Sequence, residues 1–310
     1  RKLKIFTLKP EDLDGELAEC LAAYHPFSTG TFTEWKNRIM SLFAAAEGRG
    51  QQHFVLGEED TLNTILAVLY ELQIDVDLKV IMKFVHNEAS LKALGSQFKN
   101  EILKKELDQI SIEQLGDIAK ILKLFVLSSY GHLFDTDATK NVIRVQDSIM
   151  NDEMVLFMFD SATYKEDTKK IAKMIISDIN SAFSTIKKRN KGLEKKCFCI
   201  FDEFASYASS NLSDTLTLQR SNGMHAIVGT QGLATVAEAG ADTARVAEEL
   251  IACCGTYLIL QLQHDADIER IAKIIGTKTG YEVTRQLDIS EGMGATGMGS
   301  SKEIKEFVVH

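Results

Sequence analysis

The sequence has 310 residues, of which 45% are hydrophobic and 25% charged, with only 20 glycines and 2 prolines. This length leaves room for about two domains with cores of their own, and the composition excludes a collagen-like or disordered chain. The formal net charge of −9 argues against a protein that coats nucleic acid with its whole surface, so any contact with DNA must be local. The scattered cysteines lack zinc-site spacing, which indicates a reducing compartment.

The amino-terminal part alternates between extended and helical patterns. Lys2 to Leu8 alternates as a short strand does, and Glu11 to Tyr24 places its apolar residues on one helical face. A turn from Tyr24 to Gly30 follows. A second helix is expected from about Glu34 to Ala46, with Thr33 as its N-cap.

From Gly57 to Phe134 every strong apolar signal recurs with the 3.6-residue period of a helix. This segment contains no proline, and the connections between its periodic stretches are short enough for antiparallel neighbours. The sequence therefore predicts a wholly helical module here.

After Lys140 apolar strands alternate with amphipathic helices. Buried strands are predicted at Met154 to Phe159, Cys197 to Phe201, His225 to Gly229 and Thr256 to Gln261. Helices are predicted at Lys165 to Arg189, Asp214 to Arg220, Asp242 to Cys253 and Asp265 to Ile275. This alternation predicts an α/β fold with a mostly parallel sheet and helices on both faces. The α/β domain would comprise residues 1–56 and 141–310, interrupted by an all-α insertion domain at residues 57–140.

Two acids follow the predicted strand that ends at Phe201. The carboxyl ends of parallel strands face the ligand crevice, so Asp202 and Glu203 are expected where phosphates and a metal gather. An apolar strand with this ending is the Walker B arrangement, in which the aspartate holds Mg²⁺ and the glutamate deprotonates the attacking water. From these residues alone, an ordinary helix N-terminus whose dipole the acids complement stays open.

Gln231 ends the Gly229-Thr230-Gln231 run that closes the next predicted strand. Its amide can contact a γ-phosphate at one end and a water or an acid at the other, although it can also be a simple polar cap of the strand. Arg220 closes a predicted helix, and its guanidinium can clamp phosphate in its own subunit or in a neighbour. Spacing alone favours for Arg220 a cation that complements a helix C-terminus.

Two runs, C-I-F-D-E-F-A-S-Y-A at 199–208 and L-T-L-Q-R-S-N-G-M-H-A-I-V-G-T-Q at 216–231, resemble the coupling-protein ATPases of type IV secretion and conjugation. This is the TraD/TraG group, which is related to the FtsK/HerA hexameric DNA motors. The similarity extends to Tyr24 to Gly30, to Asn37-Arg38-Ile39 and to the closing strand from Lys302 to His310. The resemblance implies a RecA-like motor with a helical insertion at the predicted place.

Carried over by position, the resemblance implies that Asp202 is the Walker B acid and Mg²⁺ ligand and that Glu203 is the catalytic glutamate. It further implies that Gln231 is the sensor glutamine in contact with the nucleotide, and that Arg220 is an arginine finger for a neighbour's nucleotide. ATP and Mg²⁺ are the implied cofactors, and a homo-hexamer is the implied assembly. Implied partners are DNA, relaxosome, relaxase or effector proteins and the secretion channel. The chain would be a cytoplasmic domain of a membrane-anchored protein.

One part of the family pattern is missing, because no G-x-x-x-x-G-K-[ST] occurs in the sequence. The family places this P-loop upstream, so we expect a fragment whose own ATPase activity is little or none. The implied function is to recruit DNA or protein substrate and to couple ATP hydrolysis to its transfer. A chromosomal DNA translocase of the FtsK/HerA type and a non-hydrolysing recruitment module stay open as alternatives.

Overall fold

The computed structural model describes residues 2–42, 52–95, 97, 100–137, 141–190, 196–208, 215, 216, 218, 220–238, 243–262, 264–288 and 294–307. Its α-helices are α1 (Gly15–Glu19), α2 (Phe32–Met40), α3 (Gln52–Glu71), α4 (Leu78–His86), α5 (Glu88–Leu94), α6 (Glu101–Gln109), α7 (Gly116–Val126), α8 (Val145–Met150), α9 (Lys165–Asn190), α10 (Leu233–Glu238), α11 (Thr243–Cys253) and α12 (Asp265–Ile275). Its strands are β1 (Leu3–Thr7), β2 (Ala23–Tyr24), β3 (Val142–Ile143), β4 (Met154–Met158), β5 (Cys197–Phe201), β6 (Met224–Val228), β7 (Thr277–Asp288) and β8 (Gly294–Phe307).

The strands pair mostly in parallel. β1 pairs with β4, β2 with β3 and β5 with β6, whereas β7 and β8 form an antiparallel hairpin. Parallel pairs need long crossover connections, and helices supply them here, such as α2 to α7 between β2 and β3. The predicted α/β fold with a helical insertion is confirmed.

The predicted helical module is formed by helices α3 to α7. Short polar side chains begin several of them: Asp77 Oδ1 accepts a hydrogen bond from Val80 N at 2.7 Å, and Asn87 Oδ1 accepts one from Ser90 N at 2.9 Å. The apolar faces of these helices join a core that is shared with the α/β elements. Buried members of this core include Phe6, Tyr24, Leu66, Leu122 and Ile171. The division into residues 1–56, 57–140 and 141–310 stays a prediction.

Helix α9 borders two apolar clusters. Ile171 and Ile175 belong to the core shared with the helical module, whereas Ile176 packs in a smaller cluster with Phe201 and Phe204 at the end of β5. The helix therefore connects the larger core to the segment that carries the acids. No helix in the described ranges is both long and apolar enough to cross a membrane.

The start of α2 differs from the prediction. Its N-cap is Thr31 and not Thr33, because the Thr31 side chain accepts from Glu34 N while the Glu34 carboxylate accepts from Thr31 N at 2.7 Å. This reciprocal pair is a capping box, which needs the acid three residues after the cap. Residues 43–46, which the prediction included in this helix, lie outside the described residues.

The predicted helix from Glu11 to Tyr24 is wrong over most of its length. Only α1 is α-helical, and Ala23–Tyr24 forms β2 beside β3. Leu21 forms an isolated parallel bridge with Ile5. Strand pairing with distant residues thus overrides the local helical pattern.

The predicted complete burial of the strands is also wrong. Phe198 and Ile200 on one face of β5 are 63% and 70% exposed. The predicted strand from Thr256 to Gln261 does not form, and Leu258 there is 91% exposed. In the part of the chain that the structure describes, no strand pairs with this segment, and an unpaired strand has no ladder of hydrogen bonds.

A buried ion pair joins α2 to α9. Arg38 Nη2 lies 3.2 Å from Asp178 Oδ1, and both side chains are fully buried. Asp178 also accepts hydrogen bonds from Tyr24 OH at 2.9 Å and Thr29 Oγ1 at 3.0 Å, and Arg38 Nη1 donates to the carbonyl oxygens of Pro26 and Thr29. Burial, reinforced by the nearby Asp178 charge, raises the pKa of Tyr24, so its hydroxyl stays a donor.

We expect Arg38→Met to lower the free energy of unfolding by about 3–5 kcal/mol, because it leaves Asp178 as an uncompensated buried charge. Lys36→Met on the same helix is the matched control. Lys36 pairs with Glu59 at 2.6 Å near the surface, and its loss should cost about 0–1 kcal/mol. Urea denaturation at neutral pH measures both variants. Equal losses in the two variants would contradict the role assigned to the buried pair.

Candidate active site

The acids Asp202 and Glu203 lie exposed directly after β5. Asp202 Oδ1 accepts a hydrogen bond from Glu203 N at 3.0 Å, and the Asp202 carbonyl oxygen accepts one from Tyr207 OH at 2.8 Å. Burial, together with the charges of Asp202 and Glu203, raises the pKa of Tyr207 and keeps this hydroxyl protonated. Phe204, fully buried, anchors the turn to the smaller apolar cluster.

Glu203 has an unusual backbone conformation. Its φ of 47° and ψ of 41° place it in the left-handed region, which costs a non-glycine residue about 1–2 kcal/mol. It occupies the N-cap position of the 3₁₀ helix Phe204–Tyr207, yet its side chain makes no cap hydrogen bond. No capping hydrogen bond from Glu203 therefore accompanies the alternative in which the acids complement a helix dipole, and backbone strain of this kind clusters at functional sites.

The loop after β6 meets the same end of the strand pair. Phe201 lies opposite Val228 in the parallel register, Gly229 N donates to the Phe201 carbonyl oxygen at 2.8 Å, and Phe204 N donates to the Gly229 carbonyl oxygen at 2.9 Å. A Cβ atom on Gly229 would lie 2.9 Å from Asp202 Oδ1, so only glycine lets the carboxylate approach this closely.

Gln231 is exposed in this loop, two residues after Gly229. Thr230 Oγ1 donates to the carbonyl oxygen of Gly232 at 3.2 Å and so closes the loop around the glutamine. The structure therefore brings Asp202, Glu203 and Gln231 to one end of the β5–β6 pair.

Arg220 lies at the other end of the pair. Its backbone opens the 3₁₀ helix Arg220–Asn222 before β6, where Cys197 N donates to the Gly223 carbonyl oxygen at 3.1 Å. The five residues of β6 separate this end from the acids by about 13 Å. The backbone thus does not place Arg220 beside the acids of its own chain. Its side chain and residues 214, 217 and 219 of the predicted helix before it lie outside the described residues.

One residue near the loop was not predicted from the sequence. Asp267, in the first turn of α12, is 3% exposed and accepts a hydrogen bond from Ala234 N at 2.9 Å through Oδ1. In the sequence it belongs to His264-Asp265-Ala266-Asp267, which signals only the start of a helix. The sequence around Asp267 contains no pattern that could have predicted its contact with the loop after β6.

Among the residues that the structure describes, no group of three or more His, Cys, Asp or Glu side chains is arranged to hold a metal ion. A single exposed carboxylate such as Asp202 fits Mg²⁺, which proteins commonly bind through one or two carboxylates, water and substrate phosphates.

In a parallel α/β fold, polar residues that gather at the carboxyl ends of neighbouring strands lie where such folds bind their ligands. The chain belongs to the family of type IV secretion-system coupling protein DNA-binding domains, whose family model matches residues 54–309. The comparison with curated proteins gave no match.

Solved structures share the fold. The bacterial conjugative coupling protein TrwBdeltaN70 in an unbound monoclinic form matches with a TM-score of 0.56 and 12% identity, over 98% of this chain and 67% of that one. Plasmid coupling protein TrwB in complex with ADP and Mg²⁺, and in complex with the non-hydrolysable GTP analogue GDPNP, each match with a TM-score of 0.51 and 12% identity. Those matches cover 80% of this chain and 57% of the TrwB chains. The predicted RecA-like class is thereby confirmed.

The strained backbone of Glu203 leads to a stability prediction. We expect Glu203→Gly to be more stable than Glu203→Ala by about 1 kcal/mol, because both lose the carboxylate but only glycine adopts φ near 47° without strain. Urea denaturation of the two variants measures the difference. If Glu203→Ala were the more stable variant, the left-handed conformation of this residue would be contradicted.

Proposed function

We propose that the chain belongs to the motor of a type IV coupling protein, which couples ATP hydrolysis to the transfer of DNA and its attached protein. The observation that carries this proposal is the meeting of Asp202, a strained Glu203 and the Gln231 loop at the carboxyl end of the β5–β6 pair. TrwB, which shares the fold, is known in complex with ADP and Mg²⁺, and this supports a Mg²⁺-nucleotide as the ligand.

Each residue of the site has a distinct role in this proposal. Asp202 would hold Mg²⁺ through its exposed carboxylate, and the bound ion would neutralise phosphate charge. Glu203 accepts the proton of the attacking water at its carboxylate. Gln231 orients that water through its side-chain amide. Tyr207 fixes the Asp202 backbone through the hydrogen bond to its carbonyl oxygen.

Arg220 is proposed to act on the nucleotide of a neighbouring subunit. Its backbone lies at the end of β6 opposite to the acids of its own chain, which supports a role in trans over one in cis. A phosphate clamp supplied by a neighbour requires an oligomer, and a hexamer is the assembly that the family resemblance implies. The membrane anchor and the P-loop of the family pattern are likewise proposals for the complete protein.

The recruitment of substrate is proposed for the helical module. Residues 57–140 contain nine lysines against fourteen acidic residues, a net charge of −5, which suits a protein partner better than the DNA backbone. A surface cavity of about 620 Å³ between α3 and α6 offers an apolar contact, because it is lined by Phe32, Tyr70 and Ile102, and Ile102 is 74% exposed. A non-hydrolysing recruitment module is therefore the second candidate function.

Substitution of each acid in turn, in the complete protein, distinguishes these two candidate functions. We expect Glu203→Gln to bind ATP but to lose about 10²- to 10⁴-fold in turnover, because an amide cannot accept the proton of the water. Asp202→Asn should weaken Mg²⁺-dependent binding itself. Glu238→Gln, an exposed acid at the end of α10, is the matched control. Unchanged turnover in Glu203→Gln would overturn the role proposed for Glu203, whereas absence of ATP turnover in the unsubstituted complete protein would favour the recruitment module.

A mixing experiment tests the role of Arg220. We expect Arg220→Ala and Glu203→Gln subunits to be nearly inactive when assembled separately. Mixed oligomers should regain turnover, because some interfaces then pair the intact arginine of one variant with the intact glutamate of the other. ATP turnover is measured across mixing ratios, with co-purification of differently tagged subunits as proof of mixing. No recovery in oligomers shown to be mixed would refute the trans assignment.

A further inference from the structure

The loop that carries Gln231 is held from a second element, helix α12. Asp267 of that helix is buried, and its Oδ1 accepts the hydrogen bond from Ala234 N at 2.9 Å. Ala234 lies in the first turn of α10, where backbone N–H groups have no partner within the helix. A hydrogen bond from such a group to a carboxylate is charge-assisted and stronger than a bond between neutral groups.

The other oxygen of Asp267 faces the residue that follows Gln231. A Cβ atom on Gly232 would lie 2.5 Å from Asp267 Oδ2, so a side chain there is excluded. The carbonyl oxygen of Gly232 in turn accepts the hydrogen bond from Thr230 Oγ1. The Asp267 carboxylate therefore accepts a hydrogen bond from Ala234 N and lies close to Gly232, both on the carboxyl side of Gln231, and the Thr230 hydroxyl closes the loop from its amino side.

A carboxylate at this depth is costly for the fold. Burial of an ionised carboxylate costs several kcal/mol unless hydrogen bonds compensate it, so an apolar residue would give α12 a more favourable packing surface. The hydrogen bond that Asp267 Oδ1 accepts comes from the start of α10, and Asp267 Oδ2 lies close to Gly232 of the loop. As an acid in the first turn of α12, Asp267 also complements the dipole of that helix, but both of its carboxylate oxygens lie against the loop and α10.

We propose that Asp267 is a positioning residue, which holds the Gly229–Gly232 loop so that Gln231 is presented beside Asp202 and Glu203. The inference rests on the proposed function, in which Gln231 orients the attacking water. Because catalytic geometry must be kept within a fraction of an ångström, release of this loop would reduce turnover more than it would reduce nucleotide affinity.

The first test needs no nucleotide. Hydrogen exchange of the 310-residue chain is compared for Asp267→Ala, Asp267→Asn and the control Asp265→Asn, which changes an exposed acid of the same helix turn. We expect exchange of the amides of residues 229–234 to rise about tenfold in Asp267→Ala. It should rise less in Asp267→Asn, whose amide oxygen can still accept from Ala234 N, and stay unchanged in Asp265→Asn. Unchanged exchange in both Asp267 variants would overturn the inference and leave the proposed function intact.

The second test is a double-mutant cycle on ATP turnover by the complete protein. Asp267→Ala should lower kcat about 10- to 100-fold with little change in KM for ATP, and Asp267→Asn should restore much of the loss. If Asp267 acts through Gln231, adding Asp267→Ala to Gln231→Ala should cause little further loss. Losses that multiply would overturn the inference. Should Asp267→Ala fail to fold, the cycle with Asp267→Asn decides by the same criterion.

The two proposals fail in different ways. If Glu203→Gln or Gln231→Ala leaves kcat unchanged, the proposed hydrolysis mechanism fails, and the positioning role fails with it. If both substitutions abolish turnover while Asp267→Ala behaves like Asp265→Asn, only the inference about Asp267 fails.

Discussion

The buried pair of Arg38 and Asp178 fixes the position of α9, and through α9 the position of the site. Asp178 lies two residues after Ile176, which packs against Phe201 and Phe204 in the smaller cluster. One stretch of α9 is thus held on one side by an ion pair to α2 and on the other by the apolar residues that flank Asp202 and Glu203. Displacement of α9 would move the strand end that carries both acids.

Two apolar side chains in place of Arg38 and Asp178 would cost less free energy to bury, because the attraction between two buried charges seldom compensates fully for their loss of hydration. Arg38 contributes directional hydrogen bonds that an apolar residue could not make. Its planar guanidinium donates to the carbonyl oxygens of Pro26 and Thr29 while it pairs with Asp178. These carbonyl groups lie in a buried turn, where an unpaired carbonyl is costly. The turn from Tyr24 to Gly30 and Arg38 therefore belong to a single network, although the two segments are separate in the sequence.

Local patterns predicted much of the fold and the two strand ends of the site. The apolar strand before Asp202 and the Gly229-Thr230-Gln231 run are contiguous signals, so their meeting follows once the strands are taken as parallel. The presence or absence of contacts between distant residues accounts for two of the errors. Leu21 pairs with Ile5 and thereby shortens the predicted first helix, and the segment with Leu258 has no described neighbour with which to form its strand. Asp267 has no signal near it in the sequence, because its partner is on another helix.

The features of the site that are unfavourable for stability lie in the backbone around its polar groups. Glu203 occupies a left-handed conformation, and the carboxylates of Asp202 and Asp267 leave no room for side chains at Gly229 and Gly232. None of these features adds apolar burial, so stability alone does not explain them. What supports them is the rigid apolar base below, in which fully buried Phe204 contributes to the cluster at the end of β5. Because the strained turn rests on a rigid apolar base, the Glu203 carboxylate is held in a fixed position. Orientation of an attacking water requires such a fixed position.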